Sequence, residues 1–282
     1  MYGRTHKAAG LTLIETTLVV ATIALLVGFA VPAVRSLVGS FQSEGAVKSM
    51  ISGALSSARA MAMSKQRYVG VRFQKLCTSN DPADPLKGLL DAPQYMIFVM
   101  HDPAAAPRGT DLANGFRAIE GLEPIKLPGT MGVIRGLDPR TTGTLVGPAG
   151  APYQNDATTF SIVFAPSGRV VVHPVRVRNK DGVYQPRNDP GSTKTSYDDV
   201  FNSVDNICRY KQGMFIQDDY PGAAGLMLGE EDSVTVFWIY DAATLRTLAK
   251  GIPTELTGYL NKLQTDKPVY VSSYTGHLVS AD

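Results

Sequence analysis

A chain of 282 residues with 44% hydrophobic content is ordinary for a folded protein and long enough to bury a substantial core. Its 27 Lys+Arg against 25 Asp+Glu exclude the strongly basic surface of a protein built to hold nucleic acid or anionic membrane. The histidines His6, His101, His173 and His277 lack metal-ligand spacing, and there is no nucleotide loop or nucleophile elbow; the sequence points to no catalytic residue, no metal and no cofactor.

Residues 1–10 carry Arg4, His6 and Lys7, no acid, and end in Gly10. Leu11 to Val34 then reads LTLIETTLVVATIALLVGFAVPAV, with Glu15 its only charge. At ~1.5 Å per helical residue this run can cross a hydrocarbon core of ~30 Å. The basic residues before it place the N-terminus in the cytoplasm and the rest outside. A secretory signal fits poorly, because Pro32 and the long apolar run disturb the small residues Ala30 and Ala33 where cleavage would fall. A plain signal anchor accounts for everything except Glu15, since a carboxylate near a span centre costs ~2.5–3.5 kcal/mol. The alternative for Glu15 is that it snorkels to the membrane surface.

Beyond the span, Val47, Met50, Ile51, Ala54, Leu55, Ala58, Met61 and Ala62 recur at a helical period, with Lys48, Ser49, Ser52, Ser56 and Arg59 on other faces. Residues 11 to about 65 therefore read as one long helix or two in series, kinked at Pro32 and weakened at Gly39 and Gly45. The second half is amphipathic and suits packing on a sheet. Strands are predicted over Tyr68–Gln74, Gln94–Met100, Pro124–Leu127 and Met131–Arg135. Thr158–Phe164 and Arg169–Val177 flank Pro166-Ser167-Gly168 as a hairpin, and Ser233–Tyr240 is the most β-prone run. Short helices follow over Ala243–Lys250 and Glu255–Gln264, then strands over Pro268–Ser273 and His277–Ser280 around Thr275-Gly276. Helix first and antiparallel strands after is an α+β layout.

Four segments rich in Gly, Pro, Asp, Asn, Ser and Thr read as loops: Cys77–Ala92, His101–Arg117, Gly136–Ala157 and Asn179–Asp205. They are either contact surfaces or solvated loops. The acidic groups Asp198-Asp199, Asp218-Asp219 and Glu230-Glu231-Asp232 lack a cation-ligand spacing and read as solvated faces. Cys77 and Cys208 are a candidate disulfide, permitted outside the membrane, and the sequence leaves open whether their sulfurs meet.

The segment Gly10-Leu11-Thr12-Leu13-Ile14-Glu15 resembles the prepilin peptidase site of type IV pilins and type II secretion pseudopilins. The resemblance implies cleavage after Gly10, N-methylation of the new terminus Leu11, and filament assembly through Glu15 at the fifth mature position. The family more often has Phe where this chain has Leu11. Pro32 falls where many members carry a helix-bending proline. Removing Arg4 and Lys7 with the leader would leave 25 basic against 25 acidic side chains. Glu15 of one subunit would then meet the new ammonium of a neighbour, an attraction of ~4 kcal/mol at ~4 Å and an effective dielectric near 20, before desolvation.

A finer likeness is to the H-type minor pseudopilin, carried by Phe164-Ala165-Pro166-Ser167-Gly168, by Val271-Ser272-Ser273-Tyr274-Thr275-Gly276, and by Ala58-Arg59-Ala60 followed by Val69-Gly70-Val71. The fold this implies is pilin-like: a long N-terminal helix, membrane-spanning in its first half, packed on a mostly antiparallel β-sheet globular domain. The divisions are a leader (1–10), a transmembrane segment (11–34), an amphipathic helix continuing the anchor (35–65) and a periplasmic β-rich domain (66–282). The expected partners are prepilin peptidase, other pilins or pseudopilins, the inner membrane and a secreted substrate. A minor type IV pilin in adhesion, motility or DNA uptake is the alternative. Its DNA-binding form is disfavoured by Gly276-His277-Leu278-Val279, which lacks the arginines of some DNA-uptake relatives. The chain is expected to be a substrate of the peptidase and not an enzyme.

Overall fold

The computed structural model describes residues 14–23, 25–26, 44–85, 87–103, 115–135, 158–180, 197–218, 231–249, 253–266 and 268–280. The chain divides into two compact units, Met1–Ser43 and Glu44–Asp282. In the first, residues 14–23 and 25–26 are helical. Among the described residues no helix is long and apolar enough to cross a membrane. Parts of the predicted 11–34 span, Pro32 included, lie outside them.

The second unit begins with α1 (Glu44–Lys65). Glu44 in its first turn and Lys65 in its last suit the helix dipole, and Glu44 pairs with Lys48 at 2.9 Å. The chain leaves the helix through Gln66 in the left-handed region (φ 52°), with Arg67 N–H donating to Ala62 O. Val47, Ile51, Ala54, Leu55, Ala58 and Ala62 are the buried stripe, as the periodicity predicts.

The strands that follow are β1 (Val69–Lys75), β2 (Gln94–His101), β3 (Phe116–Ala118), β4 (Ile125–Lys126), β5 (Met131–Arg135), β6 (Phe160–Phe164), β7 (Val170–Val171), β8 (Pro174–Val175), β9 (Phe201–Asn202), β10 (Phe215–Ile216), β11 (Glu231–Asp232) and β12 (Val236–Asp241). Helices α2 (Ala242–Ala249) and α3 (Pro253–Asp266) precede β13 (Val269–Val271) and β14 (Leu278–Ser280). The main sheet runs β3-β2-β1-β6-β7, with β4 also on β2, and a second sheet runs β14-β13-β12-β5; both are antiparallel. Two-stranded pairs join β8 to β11 antiparallel and β9 to β10 in parallel. The result is a mixed α/β fold with a curled, largely antiparallel sheet.

The inner core lies between the α1 stripe and one face of both sheets. Val69, Val71 and Phe73 point into it, as the alternation of β1 predicts. Phe73 stacks on Phe160 at 4.8 Å, and both lie 6.2 Å from Phe237, so one aromatic group ties the two sheets together. The buried Gln94 adds a polar tie: its Nε2 donates to Val133 O and Thr158 O, and its Oε1 accepts from Val133 N–H.

The opposite face of the main sheet is buried as well. Ile97, Val99, Phe116 and Val163 pack against Val175, Val177, Phe201 and Phe215. This outer layer corrects two expectations. The loop predicted over Asn179–Asp205 contains β9, and Asn179, Asn202 and Ser203 are buried: Asn179 N–H donates to Gln217 Oε1, and Asn202 Oδ1 accepts from Ser203 N–H and Asn206 Nδ2. The 101–117 segment ends in β3, whose Phe116 is fully buried. The strand predicted over Arg169–Val177 is split: Pro174 offers no N–H to continue the ladder, and the chain turns from β6 to pair with β11. Ser233–Tyr240 becomes a strand only from Val236, since Ser233 and Val234 spend their N–H groups on His173 O and Ser161 O.

Lys75 closes β1 as a buried residue, 5% exposed, its ammonium donating to Leu89 O at 3.1 Å and Leu90 O at 3.2 Å. Burial pushes it down to about 8, helped by Arg246 and opposed by Asp91. The folded chain gives up this proton below the ordinary lysine range, so the unfolded chain holds more protons between those values. The contribution of Lys75 to stability must therefore rise as pH climbs above about 8. Between pH 7.5 and 9.5 the gain is expected to be about 2 kcal/mol. Urea unfolding at both values should show a change more favourable by this amount in the parent than in Lys75→Met; an identical pH dependence in the two would refute the assignment.

Candidate functional site

Gly10, Leu11 and Pro32 lie outside the described residues. Glu15 lies in the N-terminal helical stretch and is exposed. Around it, Ile14, Leu18, Val19, Val20, Ile23, Leu25 and Leu26 are each more than half exposed, from 51% for Val19 to 79% for Ile14. Thr22 Oγ1 donates to Leu18 O at 2.7 Å, which satisfies the hydroxyl within the helix itself.

In the globular unit, three segments singled out in the sequence meet at one residue, Arg59 of α1. Its Nε donates to Gly168 O at 2.9 Å and its Nη2 to Tyr274 O at 3.4 Å. The first carbonyl belongs to the β6–β7 turn, closed by Gly168 N–H to Ala165 O and Ala165 N–H to Arg169 O. The second belongs to the β13–β14 turn, closed by Gly276 N–H to Ser272 O and Ser272 N–H to His277 O. The turns touch each other: Val170 N–H donates to Ser273 O, and the Arg169 guanidinium lies 4.6 Å from the Tyr274 ring centroid. Gly168 (φ +76°) and Gly276 (φ +72°) adopt a backbone suited to glycine. A Cβ on Gly276 would stand 2.7 Å from Phe164 Cε1. This clasp fastens the C-terminal half of α1 to both sheets and holds no nucleophile paired with a base.

The acidic groups are not uniformly solvated. Asp218 is buried and ion-paired with Arg72 on the outer face of β1. Its Oδ2 accepts from Val177 N–H at 2.7 Å, while Gln74 Oε1 accepts from Arg72 Nε at 2.8 Å. Burial pushes the Asp218 carboxyl up; Arg72, the Val177 N–H and Arg176 pull it down. The sequence signal was present: Arg72 is a lone charge inside the apolar run Val69–Phe73 and demanded a partner, as Glu15 does in its own run. Asp198 is half-buried, and its oxygens accept from the backbone N–H groups of Lys180, Val200 and Phe201. Those bonds commit its carboxylate to the chain, although it lines an open cleft of about 700 Å³ with Glu120, Lys180 and Tyr197. Among the described residues no three His, Cys, Asp or Glu side chains gather as a metal site.

Cys77 and Cys208 are brought together, Cys77 half-buried and Cys208 buried, each with a free thiol. In comparison with known proteins, no family model, curated protein or solved structure matches this chain.

Proposed function

We propose that this chain is the precursor of a type IV pilin-like filament subunit, a minor pseudopilin of a type II secretion pseudopilus. Prepilin peptidase cuts after Gly10 and methylates Leu11; residues 11–34 hold the inner membrane, and the globular part stands in the periplasm. The observation that carries this reading is the helical stretch that exposes apolar side chains on all sides around one carboxylate. Such a surface needs an apolar surrounding, and a bilayer followed by a filament core provides one. The back-bonded Thr22 suits the same surroundings. An amphipathic α1 clasped onto an antiparallel sheet suits a subunit whose anchor continues into its globular part.

Co-expression with prepilin peptidase should release a chain beginning at N-methylated Leu11. Glu15→Ala should be cut normally and enter filaments at least about tenfold less, the attraction to the neighbouring ammonium being lost. Equal incorporation of parent and variant would refute the role of Glu15, and an uncut parent would refute the family reading. Deleting the gene should stop protein export and spare pilus motility; the reverse pattern assigns the chain to a type IV pilus.

A further inference from the structure

Two residues beyond β1, Cys77 N–H donates to Met214 O at 3.2 Å, which ties its backbone to the start of β10. Cys208 lies in a π-helical turn, Asn206–Tyr210, that ends at Lys211 in the left-handed region. That turn is fixed by its own bonds: Ile207 N–H to Ser203 O at 3.0 Å and Asn206 Nδ2 to Asn202 Oδ1 at 2.7 Å. Ile207 and Ile216 form a small apolar cluster against which Cys77 packs. The two thiols lie near enough to act on each other's ionisation, and Cys77 S–H faces Pro85 O at 3.6 Å. The chain has two cysteines in all, so neither has a competing partner.

The geometry points to a disulfide between Cys77 and Cys208 that staples the outer layer to the end of β1. The segments that carry the two cysteines are held by backbone bonds of their own, Cys77 to Met214 and the Cys208 turn to Ser203, and both border the Ile207–Ile216 cluster. The cross-link spans nearly half the chain and constrains the unfolded state accordingly. It joins two segments, 77–92 and the layer around 197–218, that contain little regular structure to hold them.

The oxidant is a small-molecule or protein disulfide. A thiolate of this chain attacks one sulfur of that disulfide, forming a mixed disulfide and expelling one thiolate. The second cysteine, deprotonated, attacks the protein sulfur and expels the other. The two protein sulfurs lose two electrons and two protons, which leave in the two reduced thiols. The first attack comes from Cys77, the more exposed thiol. Burial raises both thiols, Cys208 to about 11, while Lys211 draws both down. The rate should therefore still be climbing with pH at pH 9.

The test uses the full chain in detergent, reduced, then incubated with oxidised glutathione. Remaining thiols are alkylated and the digest is weighed. The expected product is a peptide pair joined through Cys77 and Cys208, two hydrogen atoms lighter than the reduced peptides, with neither cysteine alkylated. The oxidised chain should melt roughly 10 °C above the reduced one. Cys208→Ser should stop at a glutathione adduct on Cys77. Two alkylated cysteines or two separate glutathione adducts would overturn the pairing, and a cross-linked chain that melts below the reduced one would overturn its role as a staple. The oxidation state found on extraction from cells reads something separate, the compartment assigned under the proposed function, and leaves the pairing test untouched.

Discussion

Asp218→Ala is expected to destabilise the globular unit by about 3–5 kcal/mol, lowering the urea midpoint by roughly 1–2 M. The substitution leaves Arg72 charged and 2% exposed, with Arg176 nearby to repel it, and removes the acceptor of Val177 N–H. The loss measures an orphaned charge more than the value of the pair. Replacing both partners, as in Arg72→Met with Asp218→Leu, should recover most of it, because desolvating two charges costs about as much as their attraction returns. A single variant within about 1 kcal/mol of the parent would show that the pair is not buried in solution.

Gly276→Ala is expected to cost about 2–4 kcal/mol. Two independent effects add. The left-handed backbone at φ +72° is strained for any residue with a Cβ, and that Cβ would stand 2.7 Å from the Phe164 ring. Phe164 is itself fully buried and cannot swing away. Combining Gly276→Ala with Phe164→Leu should relieve the steric part and keep the backbone part, so the two losses should add to more than the double variant shows. Thermal unfolding of the three variants measures this. A Gly276→Ala protein within about 0.5 kcal/mol of the parent would remove the clasp's dependence on its glycine.

Sequence periodicity was most informative where one face of an element meets one core. The stripe Val47-Ile51-Ala54-Leu55-Ala58-Ala62 and the alternation Val69-Val71-Phe73 both point into the inner core. The predicted bounds of β5 agree with the structure, and the predicted hairpin turn lies between β6 and β7, though its second strand is shorter than expected. The outer layer was not legible for two physical reasons. Its strands, β8 to β11, are two residues long and cannot display a period. The layer is also partly polar, with Arg72, Gln74, Asn202 and Asp218 buried, and a satisfied polar interior looks in sequence like a solvated face. The meeting of Cys77 with Cys208 was beyond reach for the same reason, since Cys208 belongs to that layer. The convergence on Arg59 was half visible: the three segments stood out singly, and three-dimensional packing supplied the residue that joins them.

The buried pair also sets a clock on synthesis. The carboxylate that Arg72 needs lies 146 residues further along the chain. At ~5–20 residues per second, the ribosome takes roughly 7–30 s to deliver it. Until then the guanidinium keeps its water, and the outer face of the main sheet cannot close over it. What can form early is local: α1 and the β1–β2 hairpin. The remainder of the globular unit must be completed after its chain has been made, so any factor that delays release, or any protease that samples nascent chains, acts during an interval whose length is fixed by the spacing of two charges.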